Sequence, residues 1–275
     1  MVEIILCAEN AYNAFAVASS GYVHSVYRKT VNIICDKKLL AIQAADTVVS
    51  PLSMISALNE EALRQTGIRQ GARLEFDEQG TKICGLRVSF ERCKILDSRL
   101  DVHAGMADAA YIRHCLAALM PTGGFSDIAL PDGVLWRKSA AAVEARNILD
   151  NARKYAGEEN IQMTAEALCG LVGLGEGLTP SGDDFICGVL ACGMVGGRRL
   201  NELRDALSDK LQGRLDMTND ISAAFLKCAC DGLFSQPVQA LQREPDPEYI
   251  INSFASIGHS SGADTLSGVL FALTL

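Results

Sequence analysis

The stretch TPSGDDFICGVL, residues 179–190, decides how the second half of this chain folds, because it returns as HSSGADTLSGVL at residues 259–270. Six of the twelve aligned positions are identical. Chance is a poor explanation for such a match within one chain. The segments therefore form an internal repeat. The matched residues are Ser181 with Ser261, Gly182 with Gly262, Asp184 with Asp264, Gly188 with Gly268, Val189 with Val269 and Leu190 with Leu270.

Each copy of the repeat predicts a loop that leads into a helix. Thr179 is a good N-cap, and Pro180 suits the first helical position because its missing N–H would be unpaired there. Ser260 or Ser261 can cap the second copy. The first turn of a helix carries backbone N–H groups without internal partners, at the positive end of the helix dipole. The two helix starts, with the glycine-rich approach at residues 173–177, therefore predict a site for a phosphate or carboxylate anion.

A simpler interpretation of the repeat is that serine, glycine and aspartate suit any helix start. The glycines argue against it, because glycine costs ~1 kcal/mol of helix stability relative to alanine and yet recurs in both copies. We therefore expect something to approach the backbone closely at Gly182 and Gly262. Gly188 and Gly268 each lie four residues beyond an aspartate and predict close contact between helices, which would bring both loops to one site.

Acidic and histidine side chains of the repeat are the candidates for catalysis. We assign this role to Asp183, Asp184, Asp264 and His259. The aspartates can act as general bases, as ligands of a hard cation such as Mg²⁺, or as acceptors for substrate N–H groups, and the sequence leaves these alternatives open. The candidates for binding the substrate or anion are Gly175, Gly177, Thr179, Ser181, Gly182, Ser260, Ser261, Gly262 and, in a separate strand-like run, His24.

Length and composition indicate a globular protein of two domains. The 275 residues exceed the usual size of a single core, and 49% of them are apolar and 21% charged. We place the domains at residues 1–137 and 138–275, because loops rich in proline and glycine precede the boundary. The formal charge of −8 argues against a dedicated binder of nucleic acid or of an anionic membrane, since both are held by clustered lysine and arginine.

Alternating apolar residues predict that the first hundred residues are mainly β-structure. Residues 31–35 and 39–43 flank a short polar turn, which is typical of a hairpin. Residues 74–76 and 86–90 alternate with period two on either side of a turn at 77–80, as half-buried antiparallel strands do. The sequence therefore predicts an α+β fold, in which an N-terminal antiparallel β-rich domain is followed by a C-terminal α-helical bundle domain.

Helical periodicity dominates the chain beyond residue 100. Leucines at 200, 203, 207 and 211 recur at spacings of three and four, which places them on one helix face. We expect Ser139 and Thr164 to cap two further helices. The expected helices span residues 104–120, 139–154, 164–171, 200–211, 218–234 and 245–255.

Ten cysteines are scattered through apolar stretches, without a CxxC pair or a zinc-type spacing. We interpret them as reduced core residues. The amino terminus has acidic residues and lacks the basic and apolar segments of a secretory signal. No apolar run reaches the ~20 residues that a membrane span requires. We therefore expect a cytoplasmic protein.

Four motifs carry a resemblance to a known family. They are GxGLTPSGDD at 175–184, TxxIS at 218–222, GHSSGxD at 258–264 and, more loosely, GxVHSVY at 21–27. On these residues the chain resembles the AllH-type proteins, long catalogued as a domain of unknown function. The resemblance spans most of the chain. It implies a subunit of an oxamate carbamoyltransferase that works with an FdrA-type subunit and a third subunit. That enzyme releases carbamoyl phosphate and oxamate from oxalurate by phosphate attack during allantoin breakdown.

Two other functions stay open on the sequence. Three aspartates on two repeated loops are compatible with a stand-alone Mg²⁺-dependent hydrolase or transferase that acts on a small anion. A carboxylate cluster repels an anion, so either a metal lies between them or the aspartates face a neutral or amide part of the substrate. If the glycines serve only helix packing, the chain is a noncatalytic assembly subunit. The sequence also leaves open whether the chain forms a homo-oligomer.

Overall fold

Strands dominate the first hundred residues, and helices dominate the described residues that follow. The computed structural model of the chain describes residues 1–119, 124–125, 128, 140–243 and 246–275. Backbone contacts divide it into two compact units, Met1–Ser98 and Arg99–Leu275. The domain boundary that we expect near residue 137 lies outside the described residues.

The N-terminal unit is a nine-stranded sheet accompanied by two short helices. The strands are β1 (Val2–Ala8), β2 (Gly21–Val26), β3 (Thr30–Cys35), β4 (Lys38–Gln43), β5 (Ser53–Ser56), β6 (Leu74–Asp77), β7 (Gly80–Ile83), β8 (Leu86–Ser89) and β9 (Lys94–Leu96). The helices are α1 (Glu9–Ala16) and α2 (Glu60–Gln65). The strand order is β2-β3-β4-β5-β1-β8-β7-β6, and β9 also pairs with β1. A bridge between Tyr22 and Arg73 brings the two ends of this order together, so the sheet is barrel-like.

The predicted hairpin is confirmed, because β3 and β4 pair antiparallel along their full length. Asp36 and Lys37 form its turn with φ angles of 43° and 72°. The Asp36 carboxylate accepts hydrogen bonds from the backbone N–H groups of Ser19 and Ser20, both at 2.9 Å. These bonds hold the tight turn against the segment that precedes β2.

Strand direction is the part of the sheet that the sequence did not predict. Five of the eight pairings between the described strands are antiparallel, as expected. The pairs β1–β8, β1–β9 and β4–β5 are parallel. Period-two alternation reports which face of a sheet a residue occupies, and it carries no information about the direction of the neighbouring strand.

Aliphatic side chains fill the interior of the N-terminal unit. Ile4, Ile33, Ile42, Met54 and Ile83 are buried from solvent. Complete burial of a side chain of this size contributes about 1.5–3 kcal/mol relative to leaving it exposed. This core explains how the unit holds its strands in register.

The C-terminal unit is built from helices. Among the described residues they are α3 (Ala109–Ala118), α4 (Ala140–Gly157), α5 (Ile161–Cys169), α6 (Ser181–Val195), α7 (Arg198–Leu211), α8 (Asp220–Cys230), α9 (Gln236–Ala240), α10 (Pro247–Ala255) and α11 (Ser261–Leu273), with a 3₁₀ turn at Leu215–Met217. The strand-rich region followed by a helical region confirms the predicted fold class. Within the described stretches of chain, no helix combines the length and apolarity needed to cross a membrane.

Two predicted helix starts differ from those observed by three residues or more. The side chain of Asn160 caps α5 by accepting the N–H of Met163 at 3.1 Å. Thr164 lies inside this helix and donates its hydroxyl to the Asn160 carbonyl at 2.8 Å, so the prediction that Thr164 is the cap is wrong. Helix α3 starts after Asp108, whose carboxylate accepts the N–H of Tyr111. Ser139, the other expected cap, lies outside the described residues.

Helices α6 and α11, which carry the two copies of the repeat, pack directly against each other. A Cβ placed on Gly188 would lie 2.1 Å from the carbonyl oxygen of Thr265, and one placed on Gly268 would lie 2.0 Å from that of Phe185. Real Cβ contacts are never this short, so any side chain at either position would push the helices apart. The close helix contact predicted from these glycines is confirmed.

Candidate functional site

The two helix starts, residues 179–184 and 259–264, meet at one place. The hydroxyl oxygens of Thr179 and Ser261 lie 2.9 Å apart and share a hydrogen bond. The contacts at the carboxyl groups are reciprocal: the Ser261 hydroxyl acts on Asp184, and the Ser181 hydroxyl acts on Asp264. Since these residues occupy equivalent positions of the repeat, the two helix starts are related by an approximate two-fold axis. The expected convergence of the loops is confirmed.

The hydroxyl groups at the helix starts do not cap their own helices. Pro180, with φ of −52° and ψ of 141°, occupies the N-cap position of α6, and Ser181 is the first helical residue. The prediction that Thr179 is the N-cap is therefore wrong, because its hydroxyl crosses to Ser261. Ser260 occupies the N-cap position of α11 without a capping bond from its side chain. These hydroxyls instead contact the carboxyl groups and one another, and their binding of an anion stays a prediction.

The repeated glycines of the first turns are explained by the chain's own backbone. A Cβ on Gly182 would lie 2.0 Å from the carbonyl oxygen of Leu171, and one on Gly262 would lie 2.1 Å from that of Phe254. Something does approach the backbone closely at both positions, as the sequence predicts. The Gly182 N–H also donates to the Leu174 carbonyl at 2.9 Å, so this amide is already paired.

The glycine-rich approach to α6 needs its glycines for two reasons. Gly173, Gly175 and Gly177 have φ angles of 72°, 124° and 100°, in the region that side chains disfavour. A Cβ on Gly175 would also lie 2.7 Å from the backbone nitrogen of Ser181. Gly177 is exposed, with open space where a Cβ would stand. Of the two anion-binding candidates in this loop, Gly175 therefore supports the helix start, and Gly177 faces solvent.

Asp183 is a buried carboxylate whose hydrogen bonds are satisfied from within the protein. Its Oδ1 accepts the N–H of Gly173 at 2.8 Å, and its Oδ2 accepts the hydroxyls of Thr218 and Ser222, each at 2.6 Å. Bonds to an ionised acceptor are the strong ones. Asp183 thereby ties the glycine-rich loop to the start of α8. Thr218 and Ser222 received no role from the sequence, although the TxxIS spacing that contains them was visible.

Asp264 is fully buried and only partly satisfied. Its Oδ1 accepts the N–H of Phe125 at 2.6 Å, and a Cβ on Gly124 would lie 2.1 Å from the same oxygen. Its Oδ2 has no hydrogen-bond partner among the described residues. Burial raises the pKa of Asp264 to about 6, against the opposing effect of the Phe125 amide and of the Ser181 and Ser260 hydroxyls. Gly124 and Phe125 were not identified from the sequence, which marked their segment only as a loop.

Asp184 occupies the position in the first copy of the repeat that Asp264 occupies in the second, and one of its carboxyl oxygens is also unpaired. Its Oδ2 is buried and has no hydrogen-bond partner within the described parts of the chain. Burial raises the pKa of Asp184 well above its usual value, and the charges of Asp264 and Asp183 raise it further. The hydroxyls of Ser261 and Thr179 oppose the rise. The site therefore holds two carboxyl groups that resist being ionised together.

The two histidine candidates lie in different units. His259 is exposed and follows Gly258, which has a φ of 66°, in the turn before α11. His24 lies in β2 of the N-terminal unit, where its Nδ1 and the Ser25 hydroxyl are 3.0 Å apart. The Ser25 hydroxyl also accepts a bond from the Asn32 amide. Catalysis by His259 and ligand binding by His24 stay predictions.

Metal binding by the aspartates also stays a prediction. Across the described residues, no group of three or more His, Cys, Asp or Glu side chains is arranged to hold a metal ion. Asp183 already uses both oxygens on donors of the protein. Of the three candidate aspartates, Asp184 and Asp264 therefore each have one oxygen that can bind a ligand.

The fold and the site define a class of two-part proteins, with a strand-rich N-terminal domain and a helical region built around a duplicated Gly-Ser-Asp helix start. Comparison with family models gives this class a name. The model of the AllH family N-terminal domain matches residues 4–95, and the model described as oxamate carbamoyltransferase subunit AllH matches residues 171–273. The chain belongs to the AllH family. The family name describes an enzyme subunit, which implies a multi-subunit complex. No solved structure matches the chain.

Proposed function

We propose that this chain is a subunit of a cytoplasmic oxamate carbamoyltransferase that cleaves oxalurate with phosphate during allantoin breakdown. In this reaction a phosphate oxygen attacks the carbamoyl carbon of oxalurate and the bond from that carbon to the inner nitrogen breaks. The proton of hydrogen phosphate goes to the departing nitrogen. The products are carbamoyl phosphate and oxamate. An FdrA-type subunit and a third subunit complete the enzyme.

The observation that carries this proposal is the pair of unsatisfied carboxyl oxygens at the paired helix starts, on Asp184 and Asp264. Buried polar atoms are almost always hydrogen-bonded, and exceptions in native proteins call for a functional explanation. A carbamoyl group offers the N–H donors that such oxygens lack. The same oxygens repel phosphate and carboxylate, so they face the neutral part of the substrate.

The anionic part of the substrate requires donors, and backbone N–H groups at the helix starts are the candidates. The hydroxyls of Thr179, Ser181, Ser260 and Ser261 contact the carboxyl groups and one another. Backbone N–H groups in the first turn of α11 lie at the positive end of a helix dipole, which favours charge that develops on a carbonyl oxygen.

A second candidate function is noncatalytic assembly, and the packing of the glycines favours it. The carbonyl groups of Leu171 and Phe254 fill the space that a side chain would need at positions 182 and 262. Glycine is therefore required at both positions without any ligand. Asp183 is likewise explained by internal hydrogen bonds. On this alternative, the repeat exists to fix the crossing of α6 and α11.

The assembled complex distinguishes the two functions. Oxalurate cleavage is measured as phosphate-dependent formation of carbamoyl phosphate, with the chain and its two partner subunits present. We expect activity with the wild-type chain, a loss of at least about tenfold with Asp264→Asn or Ser181→Ala, and no loss with the exposed control Asp150→Asn. Full activity of Asp264→Asn and Ser181→Ala complexes would establish assembly alone. Absence of cleavage in every subunit combination would contradict the proposed reaction.

A further inference from the structure

Two buried oxygens without partners stand at equivalent positions of the repeat. Among the described residues only three buried side-chain atoms lack a hydrogen bond, and two of them are Oδ2 of Asp184 and Oδ2 of Asp264. Asp183, in the same helical turn as Asp184, has three donors, so the region is able to satisfy a carboxylate. Leaving a buried acceptor unpaired is unfavourable. An unpaired oxygen occurs at both equivalent positions of the repeat. This indicates that a group from outside the chain forms the missing hydrogen bond with each carboxyl.

The two carboxyl groups differ in protonation because they share one site. Each is desolvated, and the charge of Asp264 disfavours ionisation of Asp184. Like charges in a buried place make one of two carboxyls retain its proton. Cys187 and Asp183 are the other titratable groups that interact with Asp184, and neither supplies a positive charge. The pair therefore offers one O–H donor and one carboxylate acceptor.

A primary amide is the chemical group that complements this combination. It carries an N–H donor and a carbonyl acceptor on one carbon, and both ends would be satisfied. We propose that Asp184 and Asp264 recognise the primary amide of oxamate or of a carbamoyl group, one residue accepting an amide N–H while the other donates its carboxyl proton to the carbonyl oxygen. This inference rests on the proposed function for the identity of the ligand and adds which group of the ligand the aspartates select.

The selectivity against a carboxylate follows from the same arrangement. Oxalate has the size of oxamate but replaces the amide nitrogen with a charged oxygen. It would place a negative charge and an acceptor against the ionised aspartate, which needs a donor. A site built to pair a buried N–H rejects an analogue that lacks it, because its own acceptor stays unpaired. We expect oxalate to bind about 100-fold more weakly than oxamate.

The test is calorimetric titration of oxamate and oxalate into the full chain and into the complex with its partner subunits, at neutral pH. Wild-type protein should prefer oxamate over oxalate by about 100-fold. Asp184→Asn keeps a donor at the position of the carboxyl that ionises less readily, and should retain oxamate binding. Asp184→Ala removes this donor and should lose oxamate binding. The double variant Asp184→Asn with Asp264→Asn removes the negative charge, so its preference for oxamate over oxalate should fall to within about tenfold.

Each outcome decides the inference independently of the enzymatic activity. Equal affinities of the wild-type chain and complex for oxamate and oxalate, or no binding of oxamate to either, would overturn amide recognition. Unchanged selectivity in the double asparagine variant would overturn it as well. A complex that cleaves oxalurate but shows any of these results keeps the proposed function and loses this inference. Thermal melting of every variant verifies that it is folded, and Asp150→Asn serves as the exposed aspartate control.

Discussion

Gly188 and Gly268 lie back to back where the two repeat helices cross, and a Cβ on Gly188 would stand 3.1 Å from the Cα of Gly268. Each glycine also faces a carbonyl group of the opposite helix, on Thr265 and Phe185, and these two residues are themselves equivalent in the repeat. The crossing is therefore symmetric. It sets the distance between the helices and so brings the helix starts into contact at Thr179 and Ser261.

The first prediction is that neither crossing glycine tolerates a methyl group. Gly188→Ala and Gly268→Ala should each lower the free energy of unfolding by about 3 kcal/mol, because the obstructing atoms are backbone and cannot turn away. Gly157→Ala, at the end of α4 with open space at the Cβ position, is the control and should change stability by less than about 1 kcal/mol. Urea denaturation measures all three. A loss in the control as large as in the crossing variants would contradict the explanation.

Most of the correct predictions about the site came from comparing the two copies of the internal repeat. Identical glycines at 188 and 268 predicted the crossing, because glycine inside a helix is unfavourable unless something fills the space of its side chain. Identical Ser-Gly-x-Asp residues predicted two helix starts at one place. These inferences succeeded because each depends on local periodicity and on a comparison of two segments of one chain.

The hydrogen-bond partners of the aspartates could not be predicted by comparing the two copies of the repeat. Asp183 and Asp184 are adjacent and chemically identical, yet one is saturated by Gly173, Thr218 and Ser222, and the other keeps an oxygen without a partner. This difference arises from which side of α6 faces the loop before α8. Contacts between segments that are distant in sequence decide it, and a single sequence carries no record of them. Strand direction in the N-terminal sheet escaped prediction for the same reason.

The second prediction separates these two neighbouring aspartates. Asp183→Asn should lower the free energy of unfolding by about 3 kcal/mol, because the amide has one acceptor oxygen for three buried donors and adds a donor of its own. Asp184→Asn replaces a carboxyl that burial keeps from ionising and that has an unpaired oxygen, so stability should stay the same or rise. Thermal melting and urea denaturation of both variants provide the comparison. If Asp184→Asn destabilises the chain as much as Asp183→Asn, its carboxyl is held by internal bonds after all.

The third prediction concerns the ten cysteines, all of which have free thiols in the structure. Cys84 is the exposed one, and burial raises the pKa of Cys7, Cys35 and Cys192 to about 12. Since the thiolate is the reactive form, a thiol reagent at pH 8 should label Cys84 rapidly in the native chain. Cys84→Ser should abolish the fast phase, and urea without reductant should expose all ten thiols. Fewer than ten would indicate a disulfide and contradict the structure.

The fourth prediction is a pH dependence of stability that belongs to Asp264. Its pKa is about 6 in the folded chain and near 3.8 when unfolded, so the folded state binds the proton more tightly. The stabilisation that comes with protonation is complete below about pH 4 and is lost as the pH rises through about 6. The free energy of unfolding should therefore fall by about 3 kcal/mol across this window, relative to Asp264→Asn.

Urea denaturation of the wild-type chain and of Asp264→Asn at half-unit intervals from pH 4 to pH 8 measures this difference directly. The variant cancels the contribution of other titrating groups, because it changes one carboxyl and keeps its shape. The difference curve should have its midpoint between pH 4 and pH 6 and level off above pH 7. Wild-type stability that rises with pH relative to the variant would show that the donors around Asp264 outweigh its burial and hold its pKa below the value of the unfolded chain.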